Sequence, residues 1–256
     1  IIKHSKVRKE QYSVRLPLHN TYFFFFFFFC AASPFIYRVN TSQQKVMSDF
    51  TFPLDRTAVV FIEYQKDFTD KGGKMYAATK ATMQHTGMLE NSTKFLQFCR
   101  DQKGMTIMHV PIAFEDGHKE ISGSPYGILS SMKEGNAFVK EDSGHAFHKP
   151  MEPIKGELVV KGKLGLDCFT SSNLDFLLCQ HDIKYVILGG FLTNCCVEST
   201  MRTAYEKGYK VYTLKDCTAA TSLPAHISAF EHNFGMFSIP TTSNEIMEAI
   251  TANTGD

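Results

Sequence analysis

Six short apolar runs alternate with segments of helical period along residues 58–252, and that alternation predicts the architecture. The runs are Ala58–Ile62, Thr106–Val110, Leu158–Val160, Tyr185–Leu188, Val211–Leu214 and Met236–Ile239. Between and after them, apolar positions recur every three to four residues in Asn91–Gln102, Ser172–His181, Cys195–Lys207, Pro224–His232 and Asn244–Ala252, the last opened by a Thr242-x-x-Glu245 capping box. Apolar, β-branched runs separated by helices predict an α/β fold whose parallel sheet is covered on both faces. Ligands of such sheets sit beyond the C-terminal strand ends. The stretch from Ile112 to Pro153 carries little periodicity and is expected to form a lid or a partner-binding surface.

Polar chemistry collects at three of those strand ends. Glu63 follows the first run, Lys161 and Lys163 follow the third, and Cys195 and Cys196 follow the fourth. The thiols lie in Gly189-Gly-Phe-Leu-Thr-Asn-Cys-Cys-Val-Glu-Ser-Thr-Met-Arg-Thr203, a strand-loop-helix passage where helix N-terminal amides can stabilise a thiolate and an oxyanion. An acid, an amine and a thiol on one sheet edge form a candidate catalytic set. On a helical wheel Val197, Met201 and Ala204 define the buried face with Cys196 at its edge, while Cys195 falls opposite with Glu198 and Arg202. A nucleotide-binding oxidoreductase would need a glycine fingerprint after the first strand, and Glu63-Tyr-Gln-Lys-Asp67 has none.

Composition narrows the class. The 256 residues are 43% apolar, enough for one well-buried domain, and the net charge of +1 points to neither nucleic acid nor a membrane surface as partner. Seven cysteines without a disulfide pattern suit a reducing, cytoplasmic location. Residues 1–46 stand apart: they hold seven of the 27 Lys/Arg but one of the 26 Asp/Glu, and seven consecutive phenylalanines, Phe23 to Phe29. They are read as a non-native or disordered leader, with Met47 as the natural start and 47–256 as the domain. A secretory signal is the rival reading.

The blocks Ile62-Glu-Tyr-Gln-Lys-Asp-Phe68, Gly162-Lys-Leu-Gly-Leu-Asp-Cys-Phe169, Gly190-Phe-Leu-Thr-Asn-Cys-Cys-Val-Glu-Ser-Thr200 and Asp216-Cys-Thr-Ala-Ala-Thr-Ser222, in this order, resemble the isochorismatase-like cysteine hydrolase superfamily. Within it the chain looks closest to the streptothricin-hydrolase-like branch. The resemblance implies a three-layer αβα Rossmann-like fold with a central parallel sheet of about six strands, and an acid-lysine-cysteine triad. Cys196 matches the nucleophile, with Cys195 as the alternative. Lys163 matches the lysine by its distance from Phe169, whereas Lys161 directly follows the strand. Glu63 stands where the superfamily usually has Asp, with Asp67 as the other acid to weigh.

The implied activity is hydrolysis of a C–N bond (amide, lactam or ureido) of a small molecule through a thioester. Glu63 would take the thiol proton, Lys163 and the helix N-terminus would favour the thiolate, and the amides of Leu192 and Cys196 would form the oxyanion hole beside a cis Phe191–Leu192 bond. Phe68, His109, Phe114, Tyr126, Phe138, Phe169 and Phe191 are candidate pocket residues, His109 being a pocket wall or a core histidine. Neither metal nor cofactor is expected. A homo-oligomer is expected by analogy. The alternative is a catalytically silent binding or scaffold protein of the same fold.

Overall fold

The computed structural model describes residues 53–253, so the leader reading of 1–46 lies outside the described residues. A single six-stranded parallel sheet forms the centre, in the order β3-β2-β1-β4-β5-β6. The strands are β1 (Thr57–Ile62), β2 (Thr106–Val110), β3 (Leu158–Val159), β4 (Tyr185–Phe191), β5 (Lys210–Ala219) and β6 (Ile239–Thr241). This is the three-layer α/β fold expected, and its two apolar cores follow from the strand pleat. Val59 and Phe61 of β1 point to one face, where they pack with Phe95, Leu96, Ile246 and Ile250. Ala58, Val60 and Ile62 point to the other, with Leu174, Leu178, Met201 and Ala204. The first face is covered by α3 (Met88–Asp101) and α8 (Ser243–Asn253), which follow the turn α1 (Lys66–Thr69) and α2 (Tyr76–Thr86) in the numbering used here. The second is covered by α5 (Leu174–Gln180) and α6 (Glu198–Glu206).

Several expected boundaries are corrected. The strand expected at Met236–Ile239 forms instead at Ile239–Thr241, because the helical chain continues through Gly235–Phe237 and leaves Met236 57% exposed. β5 runs on to Ala219, past the polar Lys215 and Asp216 that ended the apolar run in sequence. β3 keeps two residues of the three expected. Helix α2 was not foreseen, since its buried positions are Thr79, Thr82 and Met83 and give little apolar contrast. The stretch after Ile112 contains a further short helix, α4 (Ile128–Glu134), and α7 (Leu223–Ala229) continues as a wide turn over Phe230–Phe234.

Close packing at the C-terminal edge of β1 and β4 depends on one glycine. Gly190 has φ +132°, and a Cβ there would overlap the Ile62 carbonyl group. A register shift between Leu188 and Gly190 then realigns the strand end, pairing Gly190 with Thr218 and Phe191 with Ala219. The sheet edge at β3 is pinned from outside. Arg100 on α3 grips Glu157 at 2.7 and 3.1 Å and the Glu152 carbonyl at 2.8 Å, and Glu157 also meets His109 Nε2 at 2.8 Å.

Candidate active site

Glu63 leaves β1 with φ 58°, a left-handed conformation that a residue bearing a Cβ seldom adopts. Its amide still donates to the Val110 carbonyl at 2.9 Å, so the residue stays anchored to the sheet edge while the chain turns away. Gln65 fixes that turn. Its side chain donates to the carbonyls of Ile112 and His145, both at 2.9 Å, and accepts from the Ile112 amide at 2.9 Å. Sequence reading passed over Gln65, because bonds from a side chain to distant backbone leave no periodic trace.

The Glu63 side chain is fully buried, and its Oε1 accepts from the ammonium of Lys163, which is 1% exposed. Lys163 donates in addition to the Gly165 carbonyl at 2.6 Å. The second oxygen, Glu63 Oε2, is buried and has no hydrogen-bond partner among the described residues. Burial alone would depress the Lys163 pKa. The carboxylate of Glu63 and the sulfurs of Cys196 and Cys168 outweigh it and raise the pKa above that of an ordinary lysine. Lys163 is therefore a fixed cation. Lys161 is exposed, and its amide bonds the Asn173 side chain at 2.8 Å, so it lies outside the cluster.

Asp67 also lies outside. Its Oδ2 accepts from the Phe138 amide at 2.7 Å and its Oδ1 from the Lys74 amide at 3.1 Å, which commits it to holding the loops together. A polar depression of about 500 Å³ lined by Lys66, Asp67, Asp70, Lys74, Asp142 and Ser143 adjoins it and contains none of Glu63, Lys163 or Cys196.

Cys196 sits in the wide turn Thr193–Val197 that opens α6, after a Phe191–Leu192 peptide that is cis. The Leu192 carbonyl accepts from the amides of Cys195 at 3.0 Å and Val197 at 3.2 Å. Cys196 is 1% exposed and packs with Val197, Met201 and Ala204, whereas Cys195 is half-buried. The thiol is close enough to Glu63 and Lys163 to feel both charges. A hydrogen bond shared with Cys195, burial and the Glu63 carboxylate push its pKa well above the ordinary thiol range, and Lys163 pulls the other way. Lys163 favours the thiolate in the expected direction, while the carboxylate and the dry surroundings disfavour a second anion. Cys195 moves in the opposite direction, chiefly because it is the partner in that hydrogen bond.

Cys168 was overlooked as a member of the neighbourhood. It is fully buried within the field of Lys163, its amide donates to Thr200 Oγ1 at 3.1 Å, and burial pushes its thiol up to about 12. The signal was available, since Cys168 and Lys163 share the block Gly162–Phe169.

The pocket residues expected from sequence divide. Phe68 and Phe191 stack at 4.7 Å, Phe68 packs on Phe138 at 4.9 Å, and all three are buried beside the chain turn that follows Glu63. Phe114 is buried against His118. His109 is a core histidine, stacked on Phe61 and paired with Glu157. Phe169 packs against Tyr209 under the Lys207 ammonium. Tyr126 is 91% exposed.

Comparison with known proteins identifies the family and its fold. A family profile described as the isochorismatase domain matches residues 57–245. The ureidoacrylate amidohydrolase RutB of Cronobacter sakazakii (strain ATCC BAA-894) is 24% identical over 202 residues, covering 75% of this chain and 84% of that protein. The crystal structure of a cysteine hydrolase from Pseudomonas syringae pv. phaseolicola 1448A superposes with a TM-score of 0.68 at 23% identity, over 80% of this chain and 96% of that one. N-carbamoylsarcosine amidase from Thermoplasma acidophilum superposes with a TM-score of 0.58 at 23% identity, over 74% and 97%. These likenesses speak to the family and its fold rather than to a branch within it. From Thr57 at the start of β1 to Glu245 in α8, the chain belongs to the isochorismatase family.

Proposed function

We propose that this protein is a cysteine hydrolase of C–N bonds in small ureido or amide compounds, with Cys196 as nucleophile, Glu63 as general base and acid, and Lys163 as the fixed cation. The observation that carries the reading is the divided carboxylate. Lys163 holds Glu63 Oε1, while Oε2 is buried without a hydrogen-bond partner among the described residues, and the Cys196 thiol lies within the field of the carboxylate. Leaving a buried acceptor unpaired costs about 1–3 kcal/mol or more, and a general base needs an oxygen that is free to take a proton. The ureido preference is supported by the relatives, one a ureidoacrylate amidohydrolase and one an N-carbamoyl amidase.

The steps conserve protons throughout. Glu63 Oε2 takes the Cys196 proton as sulfur attacks the carbonyl carbon, so no free resting thiolate is needed. The amides of Leu192 and Cys196 stabilise the oxyanion. The C–N bond breaks, the departing nitrogen takes the proton from Glu63, and ammonia or an amine leaves a thioester on Cys196. Water then gives a proton to Glu63 while its oxygen attacks the thioester. Glu63 returns that proton to sulfur, releasing an acid and the thiol.

Ammonia release from a panel of ureido compounds, primary amides and lactams tests the reading. Turnover of at least one class is expected, falling by about 10³-fold or more in Cys196→Ala and in Glu63→Gln, as for loss of a member of a catalytic unit. A panel without turnover, at protein concentrations where the chain is folded, would favour the silent homologue.

A further inference from the structure

The turn that carries Cys196 is not held by ordinary helix-start chemistry. Its N-terminal cap is Leu192, whose side chain cannot accept a capping hydrogen bond. Asn194 departs from helical geometry (φ −89°, ψ 22°), and the Val197 amide reaches back five residues to the Leu192 carbonyl. A wide turn of this kind, without a side-chain cap, can be fixed by a contact from outside. The outside contact is specific. Thr193 Oγ1 and His226 Nδ1 lie 2.9 Å apart, both side chains are buried, and 33 residues separate them.

A threonine at a helix start usually bonds its own backbone; here the hydroxyl is turned onto another helix. His226 is itself well anchored. It sits on α7, whose first turn is capped by Ser222 Oγ accepting from the Ala225 amide at 3.3 Å, and its ring packs edge-on to Phe230 at 5.1 Å. α7 begins shortly after the end of β5, whose Thr218 and Ala219 pair with Gly190 and Phe191. The cysteine turn and the histidine thus rise from one strand pair. Burial, together with the nearby His85, holds the imidazole below its ordinary range and favours the neutral ring, whose Nδ1 meets the Thr193 hydroxyl as acceptor or donor according to its tautomer.

Building on the hydrolase reading, we infer that His226 is a positioning residue: through Thr193 it fixes the turn that presents the Leu192 and Cys196 amides and the Cys196 sulfur to the substrate carbonyl. His226 touches no reacting atom. The requirement is geometric, and displacing an oxyanion donor by a fraction of an ångström to an ångström is enough to slow acyl transfer by one to two orders of magnitude.

The test combines Thr193→Val, His226→Leu, their double variant, and the pair His226→Asn and His226→Gln, all in the full chain. An asparagine oxygen falls near the position of Nδ1, and a glutamine oxygen near Nε2. For Thr193→Val and His226→Leu, kcat for the ammonia-releasing substrate is expected to fall about tenfold to a hundredfold with KM within about twofold. The double variant should be no worse than the poorer single, Asn should restore most of the rate and Gln should not. Iodoacetamide should label Cys196 faster in the impaired variants, because a loosened turn no longer keeps the sulfur buried. Unchanged kcat and labelling in folded Thr193→Val, multiplying effects in the double variant, or equal rates for Asn and Gln would overturn the inference. Thr193→Ser, which keeps the hydroxyl, serves if Thr193→Val does not fold, and loss of activity there equal to that of His226→Leu would count against it. The labelling arm requires no substrate. A wild type that turns over nothing therefore removes the hydrolase reading while the positioning role is still decided.

Discussion

Glu63 is one methylene longer than the aspartate that the resemblance leads one to expect at its place, and it leaves β1 at positive φ. Glu63→Asp is expected to keep the Lys163 pair but draw the free oxygen away from Cys196, lowering kcat about tenfold or more while the melting temperature moves little. A rate equal to wild type would show that carboxylate reach is not what the site uses. The raised pKa of Cys196 makes a second prediction. Because the thiol is mostly protonated at pH 7, its labelling by iodoacetamide should climb steadily with pH to 9 and beyond, without an earlier plateau. Removing the Cys195 bond in Cys195→Ala takes away a cause that raises the pKa and should speed labelling. Lys163→Met takes away the cation and should slow it. A plateau below pH 8 in the wild type would contradict this ordering. These residues were legible because each stands in a contiguous block at a strand end. Choosing Lys163 over Lys161 needed burial, and Gln65, Thr193 and His226 stayed hidden because their partners lie 33 to 80 residues away.

At the scale of elements, the edge strand β3 depends on a polar clasp more than on its own two residues. Glu157 is held low by Arg100, the Ile154 amide and His109, against the opposing pull of burial; His109 is held low chiefly by burial. Both depressed groups contribute stability that is present at neutral pH and lost as the pH falls, His109 below its unfolded value near 6.5 and Glu157 further down. Glu157→Gln should therefore destabilise the fold by about 2–4 kcal/mol at pH 7, since it strands a largely buried Arg100, and by less at pH 4. Urea denaturation at the two pH values measures it. An equal loss at both would show that the pair's charge is not the source. Strands with near-continuous apolar runs, β1, β2 and β4, were readable directly. α2 and the far half of β5 were not, because threonines do the burying in the first and Lys215 and Asp216 interrupt the second.

On the scale of the whole molecule, both cores and the site meet where β1 and β4 run side by side. Gly190 permits that approach, and Gly190→Ala should reduce soluble yield or cost about 3 kcal/mol or more, since the new carbon meets backbone that cannot yield. Gly208→Ala, at φ +87° with open space around it, should cost about 1–2 kcal/mol through backbone conformation alone. The parallel sheet and its ligand edge followed from the order of runs and helices. The closure of Glu63, Lys163 and Cys196 into one buried cluster spans three separate loops, and no local pattern encodes it. That cluster is the centre of the account, and acid-quenched mass spectrometry during turnover of a ureido substrate tests it most directly. An acyl adduct mapped to Cys196 is expected, accumulating in variants slowed at hydrolysis of the thioester and absent from Cys196→Ala, which should release no ammonia. An adduct on Cys195, or ammonia release by Cys196→Ala at the wild-type rate, would contradict it.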